Sequence, residues 1–348
     1  MPAAHFAAEE NQQLESDSFG GDADRDWVGS IISQRAAQLE SELDRFVTEF
    51  GIEALVVQNA MAIPMQLPLG VALANLISAR GFPTIAHHHD FGWERARFAD
   101  CVVPEVLEAA FPAIAPSIAH VVINQDARDE LRVRRGVDSV VLPNVMDFAD
   151  PPPIGDGVRY RKQARLSPSD VVLLQPTRVI PRKGIELTIR LAHKLNDPAV
   201  KVVVSHPDDR VDTYWASLEA LADELGVDLR LAPAGRTGSS LPDAYAAADL
   251  VCFPSIYEGF GNALLEAFYF RRPVFVNRYP VYARDIAPTG VECIEADGEV
   301  TAEVVARAAA WLEDPSRAAP AVDRNYEAGR EHFSYHVVRD RLEPLLGG

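Results

Sequence analysis

Two short stretches hold the residues that could do chemistry. One is residues 249–272, DLVCFPSIYEGFGNALLEAFYFRR, which offers two carboxylates, Glu258 and Glu266, around a Gly-containing turn. The other is PTRVIPRKG at 176–184, which offers Arg178, Arg182 and Lys183. Glycines 259 and 261 free the first turn from side-chain clashes and let backbone N–H groups approach a ligand closely. The helix that follows aims unpaired amides and a positive dipole end at the same place, which suits a phosphate. Arg gives a planar fork for phosphate oxygens and Lys a point charge, so Arg178 and Lys183 together suit two linked phosphates. Arg182 is ranked below those two. Two carboxylates could be the acid and the nucleophile of glycoside hydrolysis, or acceptors for sugar hydroxyls. Two cations and a helix N-terminus beside them favour a bound diphosphate. A diphosphate is a good leaving group, and that in turn favours the second role.

Hydrophobic periodicity predicts the elements that hold these residues. In the second half, strands are expected at 171–176, 201–205, 229–232, 250–253, 273–276 and 292–294. Helices are expected between them at 184–195, 213–225, 241–248, 262–270 and 302–313, with further helix at the end of the chain. Short apolar strands alternating with helices give a parallel, doubly wound sheet, whose ligand crevice lies at the carboxyl ends of the strands.

The first half shows the same alternation, with strands at 54–57, 83–89, 120–124 and 139–142 and helices at 67–79 and 126–135. A helix over 27–50, closed by Gly51, precedes them. The run His87-His88-His89-Asp90 ends one of these strands, and alternation puts His87 and His89 on one face and His88 on the other. Two histidines at i, i+2 could bind a metal with a third ligand, for which His120 and His206 are candidates only by residue type, so a ligand-facing role for His89 and Asp90 is the preferred reading. The plainer alternative is one satisfied buried ring and two exposed ones. Residues 1–26 are acidic and without periodicity and read as a disordered tail. Asp22-Ala23-Asp24 within them matches a metal-holding acidic pair by chance. The proline run at 151–153 sets the expected domain boundary, giving units at 27–148 and 149–330. Residues 331–348 form a last helix expected to return toward the first unit.

Composition narrows the class of partner. With 51 acidic against 33 basic side chains, the formal net charge is −18, which argues against sequence-independent nucleic-acid binding. No basic amphipathic helix, signal peptide or 18-residue apolar run is present, so a cytoplasmic protein without an integral membrane segment is expected. Three scattered cysteines, Cys101, Cys252 and Cys293, give no zinc framework and fit reduced thiols.

Taken together, PTRVIPRKG at 176–184, DLVCFPSIYEGFGNALLEA at 249–267 and LPNVMD at 142–147 resemble the family-4 retaining glycosyltransferases of the GT-B fold. The resemblance covers the second domain and the first from about residue 54 onward. It is strongest toward a subgroup whose first domain carries a strand ending in His89-Asp90-Phe91. It implies two Rossmann-like domains with a cleft between them, and transfer of a hexose from a nucleotide-diphosphate sugar with retention. By that resemblance Arg178 and Lys183 hold the donor diphosphate. Glu258 with the amides of Gly259, Phe260, Gly261 and Asn262 holds the hexose and its phosphate. Glu266 accepts from the donor ribose, and His89 lies beside the transferred sugar. The family needs no cofactor and no metal, because the cations and the helix dipole neutralise the leaving diphosphate. Two departures stand out. The turn Pro143-Asn144-Val145-Met146-Asp147 lacks the family's glycine, and the family's first strand with its Gly-rich loop has no counterpart before Trp27. A nucleotide-sugar epimerase, a phosphorylase of the same form, or a non-catalytic nucleotide-sugar-binding subunit are the alternatives.

Overall fold

The computed structural model describes residues 2–150, 155–206, 212–235 and 238–346. The chain divides into two units, Met1–Pro143 with Arg339–Gly348, and Asn144–Val338. The first begins with helices α1 (Glu9–Phe19) and α2 (Arg25–Glu49). It continues as β1 (Leu55–Gln58), α3 (Leu67–Arg80), β2 (Thr84–His88), α4 (Pro104–Ala110), β3 (Ile118–Val122), α5 (Gln125–Arg135) and β4 (Ser139–Val141). The strands form one parallel sheet in the order β1-β2-β3-β4, with Gln58 opposite His87 and His88 opposite Val122. Among the described residues no strand precedes Leu55.

The disordered tail expected over residues 1–26 is corrected by α1. Its Leu14 is 3% exposed and Ser18 fully buried, and Ser18 accepts Val102 N–H at its carbonyl. The helix carries few apolar residues, and polar side chains hold it. Asn11 Nδ2 donates to the carbonyls of Ala3 and His5, and Arg35 donates to Glu10 O. Asp24, part of the chance acidic pair, caps α2 by accepting Trp27 N–H at 2.8 Å. At the other end Gly51 takes φ +57°, and Ile52 N–H closes the helix on Val47 O.

The second unit comprises α6 (Gly157–Gln163), β5 (Val171–Gln175), α7 (Ile185–Leu195), β6 (Val200–Val204), α8 (Asp212–Leu225), β7 (Asp228–Leu231), α9 (Leu241–Ala247), β8 (Leu250–Phe253), α10 (Asn262–Tyr269), β9 (Val274–Asn277), β10 (Ile294–Ala296), α11 (Ala302–Glu313), α12 (Ala319–His332) and the start of α13 (Tyr335–Leu346), a helix whose residues from Arg339 on belong to the first unit. Its six parallel strands lie in the order β10-β9-β8-β5-β6-β7. β5 therefore has β6 on one side and β8 on the other, and the strand order reverses between them. A crevice opens at such a reversal, because the two loops leaving the strands diverge to opposite faces. Every residue of β8 and β9 is buried, so both faces of the sheet are covered. One face packs Leu173, Val202, Leu250 and Phe275 against Leu191, Ala308 and Trp311.

Two boundaries move from their expected places. The second unit starts at Asn144, ahead of the proline run, whose residues lie outside the described ones. Met146 N–H donates to Phe333 O at 2.9 Å, and Phe148 packs edge-on against Tyr269 and Tyr326, fixing this segment to the second core. The last strand begins at Ile294 and not 292, because Asn325 takes Glu292 N–H at 2.6 Å. Among the described residues no helix is long and apolar enough to cross a membrane.

A layer of imidazoles runs through the first sheet. His88 Nε2 lies 3.0 Å from His120 Nδ1 across β2 and β3, and both rings are buried. Burial holds His88 far below its ordinary value; it lowers His87 to about 4, helped by His89, and His120 to about 4, helped by Arg135. The unfolded rings titrate near 6.5, so between pH 6.5 and 4 the unfolded chain binds more protons. Stability present above about pH 6.5 is therefore lost as pH falls, at about 1.4 kcal/mol per unit per ring. Urea midpoints measured from pH 7 to 4.5 should fall steeply for the wild type and less steeply for His120→Gln. Equal slopes would contradict neutral buried rings.

Candidate functional site

The loop after β5 is shaped from beneath by Gln175. Its Nε2 donates to Thr177 Oγ1 at 2.9 Å, and its Oε1 accepts from Thr188 Oγ1 of α7 at 2.7 Å. A 3₁₀ turn at Pro181–Lys183 then delivers two adjacent cations before α7 begins. Gly184 ends that turn at φ +61°, pressed against the Pro254 carbonyl where a Cβ would collide. The loop after β8 meets it directly: Ile256 N–H donates to Arg182 O at 2.8 Å.

Glu258 sits at this junction and is 6% exposed. Its Oε1 accepts from Ser255 Oγ at 2.7 Å and from Lys183 Nζ, and its Oε2 accepts from Arg182 Nη1 at 2.7 Å. Arg182 also donates to Tyr257 O at 2.9 Å. Lys183 Nζ stands 5.5 Å over the Phe253 ring, whose face favours a cation. Burial pushes the Glu258 carboxyl up, but Lys183, Ser255 and Arg182 together outweigh it and hold the group below the ordinary range. Lys183 is lowered, by burial first and by the fields of Arg182 and Arg178, against the opposing pull of Glu258. Arg178 is exposed and has no ion-pair partner among the described residues. Two cations thus face one carboxylate and the field of a third, Arg178, reaches Lys183; the excess positive charge suits an anionic ligand.

Glu266 occupies different surroundings. It lies half-buried on α10, accepts from Tyr245 Oη at 2.7 Å, and is raised by burial against that hydrogen bond. The two carboxylates are therefore pushed in opposite directions. Asn262, the first residue of α10, accepts Asn144 Nδ2 at 2.6 Å through its Oδ1. Gly261 precedes it at φ +125°, and Phe260 is buried with its ring edge-on to Phe333.

The sequence ranks Arg182 below Arg178 and Lys183 as a phosphate ligand; the structure gives Arg182 a partner of its own. Arg182, placed third, is the guanidinium on Glu258, whereas Arg178 acts only through its field. A 3₁₀ turn at 181–183 sets residues 182 and 183 side by side over the carboxylate, and helical spacing does not reveal such a turn. Ser255, Tyr245, Asn277 and Tyr279 also escaped sequence reasoning. Asn277 carried a readable signal, a polar residue closing the otherwise apolar strand VFVN.

In the first unit, His89 is half-buried at the carboxyl end of β2 and lies beside His87, with ring centroids 4.5 Å apart. Its Nε2 is 3.1 Å from Gln58 Oε1, and its N–H donates to Asn59 Oδ1 at 3.0 Å. Asn59 in turn donates to Asp90, which also pairs with Arg95. His87 is buried as well, which differs from the one-buried, two-exposed alternative. No group of three or more His, Cys, Asp or Glu side chains among the described residues could hold a metal ion.

The model of the glycosyl transferases group 1 matches residues 158–331, the unit that carries the Lys183–Glu258 cluster. Mannosylglucosylglycerate synthase of Thermotoga maritima is 32% identical over 354 residues, covering 91% of this chain and 80% of the relative. The chain belongs to the group 1 glycosyl transferases. A second relative, mannosylglucosylglycerate synthase of Petrotoga mobilis, is 34% identical over 275 residues, 70% of this chain and 63% of that protein. Anabaena HepE, solved in complex with UDP and glucose, matches with a TM-score of 0.66 at 17% identity, over 90% of this chain and 81% of that one. A sucrose-phosphate synthase from Thermosynechococcus elongatus matches at 0.60 and 17% identity, over 89% and 76%. These likenesses give the fold, two parallel-sheet units of the GT-B form.

The burial of Glu258 in this glycosyltransferase makes a direct stability test. Glu258→Ala strands the Lys183 ammonium and should cost about 3–5 kcal/mol of stability. Arg178→Ala removes an exposed, unpaired guanidinium and should stay within about 0.5 kcal/mol of wild type. Denaturant midpoints at pH 8 measure both. Equal losses for the two variants would show that Glu258 is not held by its cations.

Proposed function

We propose that this glycosyltransferase moves a hexose from a nucleotide-diphosphate sugar to an acceptor hydroxyl with retention at the anomeric carbon. The observation that carries the reading is the buried Lys183–Glu258–Arg182 cluster at the strand-order reversal, with Arg178 beside it. Excess positive charge held in place before the ligand arrives stabilises a diphosphate as its bond to the sugar breaks. The start of α10 contributes amides and a dipole end on the same loop.

In this reading Arg178, Arg182 and Lys183 bind the donor phosphates. Glu258 fixes Lys183 and Arg182, and it keeps one lone-pair position for a hydroxyl of the transferred hexose, since three of about four are taken. Glu266, held by Tyr245, accepts from the ribose. The anomeric carbon leaves the phosphate oxygen and bonds the acceptor oxygen on the same face, and the acceptor proton passes to the leaving phosphate. No protein nucleophile and no metal ion take part. His89, at the carboxyl end of the first sheet, contacts the sugar or its acceptor. The names of the two relatives support glucosylglycerate as acceptor and a mannosyl group as cargo. The UDP and glucose bound by HepE support a nucleotide-sugar donor.

Incubation with glucosylglycerate and a panel of UDP- and GDP-hexoses, read by mass and anomeric NMR, should give one α-linked product. Activity should survive chelation of divalent cations. Glu266→Ala should weaken nucleoside diphosphate binding at least about tenfold, a loss of roughly 1.4 kcal/mol. Unchanged affinity in calorimetry would count against the ribose role.

A pH dependence also follows from the Lys183 shift. The free site holds Lys183 below the ordinary lysine value of 10.5. An anion favours the charged ammonium, so binding should take up a proton on the alkaline side. Nucleoside diphosphate affinity should therefore begin to fall at a pH below that of an ordinary lysine. Calorimetry in two buffers of different ionisation enthalpy reads the proton uptake, and Lys183→Arg should abolish it.

A further inference from the structure

The end of β9 supplies two buried polar side chains to the loop that carries Glu258. Asn277 is 7% exposed; its Nδ2 donates to Ser255 O at 3.1 Å and its Oδ1 accepts Gly298 N–H at 2.8 Å. Tyr279 is 1% exposed, and its hydroxyl donates to Phe260 O at 2.6 Å. The Tyr279 ring meets Phe253 edge-on at 6.0 Å, and Phe253 in turn lies beneath Lys183. Gly261 sits directly over the Tyr279 hydroxyl, where any Cβ would overlap that oxygen. The loop is therefore gripped at both ends, at the Ser255 carbonyl and at the Phe260 carbonyl, with Glu258 between the two grips.

The second grip has a directional consequence. A trans peptide is planar, so its C=O and N–H point opposite ways. Holding the Phe260 carbonyl inward on Tyr279 turns the Gly261 N–H outward. Among the described residues, the N–H groups of Gly261, Asn262 and Ala263 have no acceptor, and no side chain caps α10. Three donors are thus presented by a backbone gripped by Asn277 at the end of β9 and by Tyr279 two residues beyond it.

We propose that Tyr279 and Asn277 are positioning residues for the donor's distal phosphate, acting by setting the orientation of the Gly261–Ala263 amides. This rests on the nucleotide-sugar reading of the site above. Neither residue touches the ligand. The distal phosphate of a nucleoside diphosphate reaches these amides and a monophosphate does not, so the two ligands report the orientation separately.

Calorimetry on the full chain with UDP, GDP and the corresponding monophosphates tests the assignment. Tyr279→Phe keeps the ring and removes the grip; diphosphate affinity should fall about tenfold while monophosphate affinity holds, so their ratio falls about tenfold. Asn277→Ser, which shortens the other grip, should lower the same ratio and serves if the tyrosine variant fails to fold. Amide exchange over residues 256–265 should quicken in both variants. A wild-type ratio in either folded variant, or equal weakening of both ligands, overturns the proposal. Should the wild type bind no nucleoside diphosphate, the donor-site reading itself falls, and this assignment with it.

Discussion

A carboxylate buried as deeply as Glu258 holds its charge only if cations come with it, and that requirement organises the second unit. The cations arrive from the preceding βα loop, so the two loops must meet, and β5 and β8 must be neighbours. Gly184 follows because the backbones then approach too closely for a side chain. The Ser255 hydroxyl, the Arg182 carbonyl and the Phe253 ring complete the surroundings. Desolvation of the group is a cost borne on folding. In the proposed reading, the site would meet a diphosphate with its positive charge already oriented and little left to rearrange.

The contrast between the two glutamates separates their roles more clearly than their spacing does. Glu258 is surrounded by donors and pulled down; Glu266 has one tyrosine and is pushed up. A pair serving as acid and nucleophile would need both near the same anomeric carbon. Here one is committed to organising cations and the other is tied to α9 through Tyr245. That division fits the separate roles proposed for the two carboxylates.

Much of this was legible in the chain. The strands of the second unit are uninterrupted runs of apolar residues, VVLL at 171–174 and LVCF at 250–253, because both faces of a parallel sheet are covered. Motif spacing then places Lys183 and Glu258 at strand ends without any coordinates. What stayed hidden depends on local geometry that leaves no periodic trace. That Arg182, and not Arg178, pairs with Glu258 is set by a single 3₁₀ turn. The helix Glu9–Phe19 is invisible to a hydrophobic-pattern reading, since Asn11, Ser18 and Arg35 hold it through polar bonds. Tyr279 acts through a backbone carbonyl nineteen positions away, and no motif links the two.

The hydrogen bond from Ile256 N–H to Arg182 O joins the two loops through main chain alone. No substitution but proline at 256 removes its donor, so most drift in either sequence leaves the seam intact. Anyone redesigning sugar preference by grafting loops from another member would have to transplant both segments as a matched set. A single exchanged segment would carry a foreign backbone path against its old mate, and the graft would misalign before any side chain were tested.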